Sequence, residues 1–201
     1  MFAATKDVVC TSLIFTIICA TTLTLSIFQV HGATDPTVYL SPSSYIFDLS
    51  NASIGTRFNV TVKINDVSDL AAYQWSIWYD DTIINVTRWY EPTWDPTYVF
   101  HGRTTLPAPF PDPGYEHTDP NIGKVTAGGG LMPPPPTQGS FTGSGTLCLV
   151  EFKVTAVPST GETLNCTLVL NNDAFFLLDS LGSDILDLNK ENGYYQIVPE
   201  F

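Results

Sequence analysis

The stretch from Phe58 to Thr87 constrains the fold most, because its apolar residues occupy every second position in three consecutive runs. The apolar positions are Phe58, Val60, Val62 and Ile64, then Tyr73, Trp75, Ile77 and Tyr79, then Ile84 and Val86. Side chains alternate between the two faces of a β-strand, so the pattern predicts three antiparallel strands, each with one buried and one solvated face. Turn-forming residues at Asp66–Asp69 and at Asp80-Asp81 predict the connections between the runs.

Short strands are predicted in the rest of the chain as well. They cover Thr37–Leu40, Ile46–Leu49, Tyr98–Phe100, Lys124–Ala127, Gly145–Val157, Thr163–Leu170 and Gly193–Val198. Ala174–Leu178 is predicted to be a short strand or a turn. No long window shows the 3.6-residue period of a helix. Short strands separated by turn signals predict an all-β protein, built as a two-sheet antiparallel β-sandwich.

Residues 1–33 are predicted to be a secretory signal peptide. Lys6 precedes a long apolar run, and the small residues Gly32 and Ala33 follow it. The run is long and rich in Thr and Ser, so an uncleaved membrane anchor is the alternative. Residues 34–198 are then predicted to form one domain that is secreted or lies at the cell surface.

The charge and motif content favour a non-enzymatic protein. A formal net charge of −12 makes nucleic acid an unexpected partner. No His-Glu-x-x-His, Gly-x-Ser-x-Gly or Cys-x-x-Cys spacing is present. No cofactor is predicted. The alternative is a weak surface calcium site that uses Asp66, Asp69, Asp80 or Asp81.

Cys148 and Cys166 follow the predicted leader, and both occupy positions that we predict to face the core. A disulfide between them across the sandwich is possible by this placement. The alternative is that they are two small buried hydrophobic residues.

Residues 89–140 are predicted to be mostly loop, because prolines recur throughout this segment. Long loops in small domains often carry function. Its aromatic residues include Trp89, Trp94 and Tyr98, which are candidates for stacking on sugar rings. The alternative is that the aromatic residues cover the open end of the sandwich.

Four Asn-x-Ser/Thr sequences predict N-glycosylation at Asn51, Asn59, Asn85 and Asn165. The last three fall on the polar faces of predicted strands, where an attached glycan would project into solvent. The alternative is that some of them are never modified.

Four segments together resemble the cohesin family, the receptor half of the cohesin–dockerin pair. They are Gly55–Leu70 (GTRFNVTVKINDVSDL), Ala72–Thr87 (AYQWSIWYDDTIINVT), Gly143–Val154 (GSGTLCLVEFKV) and Asn192–Ile197 (NGYYQI). The resemblance covers nearly all of residues 36–198. Residues 199–201, Pro-Glu-Phe, also resemble the start of archaeal surface-sorting tails.

The resemblance implies a nine-stranded jelly-roll sandwich, related to carbohydrate-binding modules, whose outer sheet face receives a dockerin that brings its own calcium ions. By position, Gln74, Ser76 and Trp78 would lie on that face, as would the outward side of the Lys124–Ala127 strand. The implied function is an exported module that binds a dockerin-like protein partner. Alternatives are a module that binds polysaccharide, and a structural surface-layer or filament subunit. Trp78 is the predicted exposed anchor, and Asn165 is expected on the same sheet.

Overall fold

The computed structural model describes residues 35–50, 52–106, 121–132, 139–172 and 175–199. These residues lie in one unit, Asp35–Phe201, and form eleven strands. The strands are β1 Thr37–Ser41, β2 Ser44–Asp48, β3 Arg57–Asp80, β4 Ile84–Tyr90, β5 Thr105–Leu106, β6 Ile122–Leu131, β7 Phe141–Val154, β8 Leu164–Leu170, β9 Phe176–Asp179, β10 Asn189–Glu191 and β11 Gly193–Val198. The predicted leader, Asn51 and the end of the Pro-Glu-Phe motif lie outside the described residues.

The longest strand, β3, contains both of the first two alternating runs in 24 residues. The predicted turn at Asp66–Asp69 is therefore wrong. The register against β7 shifts on both sides of Val67, and Asp66 and Asp69 have positive φ values of 56° and 59°. Aspartate tolerates this left-handed conformation, which β-bulges and turns both use. The same residue chemistry therefore bends the strand here and does not end it.

The two halves of β3 belong to different groups of strands. Its first half pairs with β1 and β7, and these continue to β10 and β4. We call this group the first sheet. Its second half pairs with β6, β8 and β9, and these continue to β5, β11 and β2. We call this group the second sheet, and the bulged strand is common to both.

The core lies on the side of β3 that the alternation predicts. Val60, Val62 and Ile64 are fully buried in its first half, and Tyr73 and Trp75 are buried in its second half. Burying a large apolar side chain stabilises the fold by roughly 1.5–3 kcal/mol. The predicted all-β sandwich is confirmed. The implied number of nine strands is exceeded because short segments such as β5, β9 and β10 pair separately.

The predicted strand at Tyr98–Phe100 is wrong. This segment is part of a buried turn, in which Tyr98 makes only an isolated bridge to Thr146. The N–H of Val99 donates to the carbonyl of Thr146, and the N–H of Thr146 donates to the carbonyl of Thr97. Three apolar residues in succession therefore fill the core from a loop. The described residues include no helix long and apolar enough to cross a membrane.

Cys148 and Cys166 are both buried and unpaired. Cys148 lies on β7, in the first sheet, and Cys166 lies on β8, in the second. Burial raises the pKa of the Cys166 thiol to about 11 and raises the pKa of Cys148 as well. The alternative of two small buried hydrophobic residues is the one that the structure favours over the disulfide.

Candidate functional site

The three predicted contact residues of β3 share the outer face of the second sheet. Gln74, Ser76 and Trp78 alternate with the buried Trp75 and Ile77, as the sequence pattern requires. Gln74 and Trp78 are half-buried. The face predicted for these residues is therefore the one they occupy.

Ser76 is fully buried, so the prediction that it contacts a partner directly is wrong. It lies between the larger Gln74 and Trp78 along the strand and is paired with Thr126 on β6. The hydroxyl oxygens of Thr126 and Ser76 are 3.4 Å apart. Alternation predicts which face a residue occupies, whereas burial on that face depends on the size of its neighbours.

Trp78 is the largest side chain on this part of the face. It is paired with Val169 on β8 and with Lys124 on β6. Its indole N–H is buried and finds no acceptor within the described part of the chain. The surface that Trp78 offers is therefore its ring and not its polar atom.

A cleft of about 310 Å³ opens beside Trp78. Its apolar lining includes Ile122 and Val169, and its polar lining includes Asn121 and Thr167. These neighbours come from three different strands or loops, so sequence patterns within one strand could not bring them together. The arrangement suits one apolar side chain of a partner, held between polar groups at the rim.

A polar network lies next to this cleft on the same face. The carbonyl oxygen of the Asn165 side chain accepts hydrogen bonds from the hydroxyl of Tyr194 and from Nε2 of Gln196, both at 2.8 Å. Asn165 itself is exposed. Because β8 is paired with the second half of β3, the predicted glycan at Asn165 would share the sheet with Trp78.

Two of the other predicted glycosylation sites, Asn59 and Asn85, lie on the first sheet. Asn59 is exposed on β3. Asn85 on β4 is half-buried, and its Oδ1 accepts a hydrogen bond of 3.2 Å from the hydroxyl of Tyr79. Modification at all of these positions stays a prediction.

The four predicted calcium carboxylates do not come together. Asp66 and Asp69 lie at the bulges of β3, whereas Asp80 ends that strand and Asp81 follows it. Among the described residues, no group of three or more His, Cys, Asp or Glu side chains is placed to hold a metal ion. A weaker calcium site stays a prediction.

The predicted sugar-stacking residues are dispersed. Tyr98 is only 2% exposed, so its ring is not available for stacking and this part of the prediction is wrong. Trp89 is half-buried against the core. Trp94 is 68% exposed and stacks on Tyr90.

Two glutamates that no motif marked have shifted pKa values. A hydrogen bond from Thr87 and the nearby guanidinium groups of Arg57 and Arg88 hold the pKa of Glu151 below its usual range. The two arginine nitrogens lie 2.8 and 3.1 Å from its carboxylate oxygens. Burial raises the pKa of Glu91, which is the residue directly after β4.

Gly129 on β6 makes room for Glu91. A Cβ atom at this glycine would lie 2.5 Å from Oε1 of Glu91 and 2.8 Å from the hydroxyl oxygen of Tyr73. A larger residue here would force Glu91 or the buried Tyr73 to shift. Gly129 therefore serves packing at this point.

No protein-family model matches the chain, and no curated protein matches it. Solved structures do match. A non-cellulosomal cohesin from Archaeoglobus fulgidus is 16% identical, with a TM-score of 0.53 over 82% of this chain and 92% of that one. The cohesin–dockerin complex of type I from Clostridium thermocellum gives 11% identity and a TM-score of 0.57 over 83% and 95%. The solution structure of a cohesin from Clostridium acetobutylicum gives 18% identity and a TM-score of 0.53 over 82% and 93%.

The fold is that of a cohesin domain. The resemblance drawn from the four sequence segments is thereby confirmed at the level of the fold, including the jelly-roll sandwich. The Clostridium thermocellum structure is a complex of a cohesin with a dockerin, so in that protein the cohesin fold is a binding module. The prediction of a non-enzymatic protein agrees with this use of the fold.

Proposed function

We propose that this protein is an exported, non-enzymatic module that binds a dockerin-like protein through the outer face of the second sheet. The cohesin fold supports the class of partner. The predicted leader at residues 1–33 and the glycosylation sequences support a location outside the cell or at its surface. The observation that carries the proposal is the cleft beside Trp78, which lies on the face that the family resemblance assigns to the partner.

The mechanism is recognition by a rigid sheet face. The indole ring of Trp78, with Ile122 and Val169, provides an apolar centre for one partner side chain. Thr167 and Asn121 provide hydrogen-bonding groups at the rim. Large apolar anchors surrounded by polar groups carry most of the energy of many protein interfaces, and Trp is among the most frequent anchors. Because Trp78, Ile122, Thr167 and Val169 stand on paired strands, little ordering is needed on binding.

The experiment is a binding titration of the chain with dockerin-type domains encoded in the same genome, in calcium and in EDTA. We expect saturable binding in calcium only, because the partner brings its own ions. Trp78→Ala is expected to weaken binding by about tenfold or more. Trp94→Ala is the matched control, since it also removes an indole but from a different part of the molecule, and it should bind normally.

Two outcomes would contradict the proposal. One is that no dockerin-type domain binds the unmodified protein. The other is that Trp78→Ala binds as tightly as the unmodified protein, which would place the contact surface elsewhere. Circular dichroism of each variant shows whether a lost signal reflects a lost fold.

A further inference from the structure

We propose that Trp94, supported by Tyr90 and Arg88, forms a second binding site that takes a ring of a neutral oligosaccharide. The rings of Trp94 and Tyr90 are stacked, with centroids 5.6 Å apart and planes 21° from parallel. The guanidinium carbon of Arg88 lies 5.3 Å from the centroid of the Tyr90 ring. Tyr90 lies against one side of the indole, and Trp94 is still 68% exposed.

The orientation of the stack is fixed from its Arg88 end. Arg88 is held by Glu151, whose carboxylate also receives hydrogen bonds from Arg57 and Thr87. Tyr90 is the last residue of β4 and is paired with Leu149 on β7. The inner two members of the stack are therefore attached to the first sheet.

The loop that carries Trp94 is also tied down. The N–H of Thr93 donates to the carbonyl of Glu91, and the N–H of Asp95 donates to the carbonyl of Pro92. Nδ1 of His101 lies 3.1 Å from the carbonyl oxygen of Thr93. The loop then continues into the buried Tyr98–Phe100 segment. An exposed indole held in one orientation loses little freedom when a ligand stacks on it.

The size of the apolar surface favours a sugar over a protein. An aromatic side chain buries about 150–250 Å², whereas each partner of a stable protein interface buries about 800 Å². The neighbours of Trp94 along the loop, Thr93 and Asp95, are polar, and His101 is exposed close to Thr93. A flat apolar face with hydrogen-bonding groups around it matches a pyranose ring whose hydroxyls are equatorial, because such a ring has apolar C–H faces and a polar edge.

The charge of the protein selects the ligand class further. A net charge of −12 repels uronic acids and sulfated sugars at low ionic strength. The ligand is therefore a neutral chain of equatorially substituted hexoses, such as β-1,4-linked glucose. This inference does not depend on the proposed partner of the second sheet, because no residue of the stack lies on that face.

The test is a titration of the full chain with cellohexaose, in which binding is measured by calorimetry and by tryptophan fluorescence. We expect saturable binding that Trp94→Ala weakens by about tenfold or more, and that Tyr90→Ala weakens by a smaller factor of about three, because it removes the support and not the contact. Trp78→Ala is the matched control and should bind cellohexaose normally. Its failure to bind a dockerin would leave this result unchanged, so the two proposals can fail separately.

Three outcomes would overturn the inference. The first is that the unmodified protein does not bind cellohexaose. The second is that Trp94→Ala binds as well as the unmodified protein. The third is self-association in analytical ultracentrifugation that depends on Trp94 and occurs without any sugar binding, which would assign the exposed ring to a contact between copies of the chain.

Discussion

Trp78 and Trp94 both lie outside the main core, but they are supported in different ways. Trp78 stands in the middle of the second sheet, half-buried between residues of two neighbouring strands. Trp94 stands on a loop beside the first sheet, mostly exposed, and rests on the ring of Tyr90. A tryptophan in the middle of a sheet thus contributes both to stability and to a binding surface. A tryptophan stacked on a loop contributes mainly exposed surface.

The largest difference is expected in the stability cost of removing each indole. Trp78→Ala should lower the free energy of unfolding by about 2 kcal/mol, because its packing against Val169 is lost. The sequence predicts that Trp78 is exposed, whereas its half-buried position in the structure predicts this stability cost. Urea denaturation followed by circular dichroism measures the change. A loss below that of an ordinary surface substitution would show that the ring is not packed against the sheet.

Removing the charge of Glu151, whose carboxylate holds Arg88 at the end of the Trp94 stack, should have the next largest effect on stability. Glu151→Gln is expected to cost about 1 kcal/mol at pH 7, since hydrogen bonds to a charged group are lost. The folded state lowers the pKa of Glu151. The ionised carboxylate therefore stabilises the fold at pH values above the ordinary pKa of a glutamate, and this contribution is lost as the pH falls through the folded-state pKa. The cost should therefore shrink at pH 3.

The control for this variant is Glu162→Gln, which changes an exposed glutamate in a turn. It should have no measurable effect at either pH. An equal cost of Glu151→Gln at pH 7 and pH 3 would mean that packing, and not charge, accounts for the loss.

A smaller effect of opposite sign is expected at Glu91, where the Trp94 loop begins. Burial raises its pKa, so ionisation costs stability as the pH rises through the folded pKa, and the fold is most stable below the usual range of a glutamate. Glu91→Gln should therefore raise the melting temperature at pH 7 and have little effect at pH 4. Thermal melts at the two pH values, with the exposed Glu191→Gln as control, test this. A lower melting temperature of Glu91→Gln at pH 7 would contradict it.

The smallest effect on stability is expected for Trp94→Ala, within about 0.5 kcal/mol, because little of its surface is buried. Together with Trp78→Ala it tests the comparison directly, in the same denaturation experiment. A loss as large as that of Trp78→Ala would show that Trp94 holds its loop in place and is not primarily a contact surface.

The faces of the strands could be predicted from the sequence because alternation has a physical cause that acts locally. Val60 and Trp75 are buried as expected, and Trp78 lies on the opposite face. The sequence predicts a turn at Asp66 because bulges and turns both use the left-handed backbone conformation found there. Local sequence carries no signal that separates them.

The parts that could not be predicted depend on neighbours from distant segments. Ser76 is buried by the size of residues around it, including one on another strand. Tyr90 supports Trp94 only because the loop folds back on the end of β4. The aromatic residues of the loop predict a functional role. The sequence alone does not show which of their rings are buried.

The bulged strand β3 also has a consequence for how the domain unfolds. Because one continuous strand supplies hydrogen bonds to both sheets, neither sheet can open at this strand without exposing an edge of the other. Partial opening should therefore be costly near the middle of β3 and cheap only at outer strands such as β2 and β5. We expect one cooperative denaturation transition, with the slowest amide hydrogen exchange on both sides of the two aspartates.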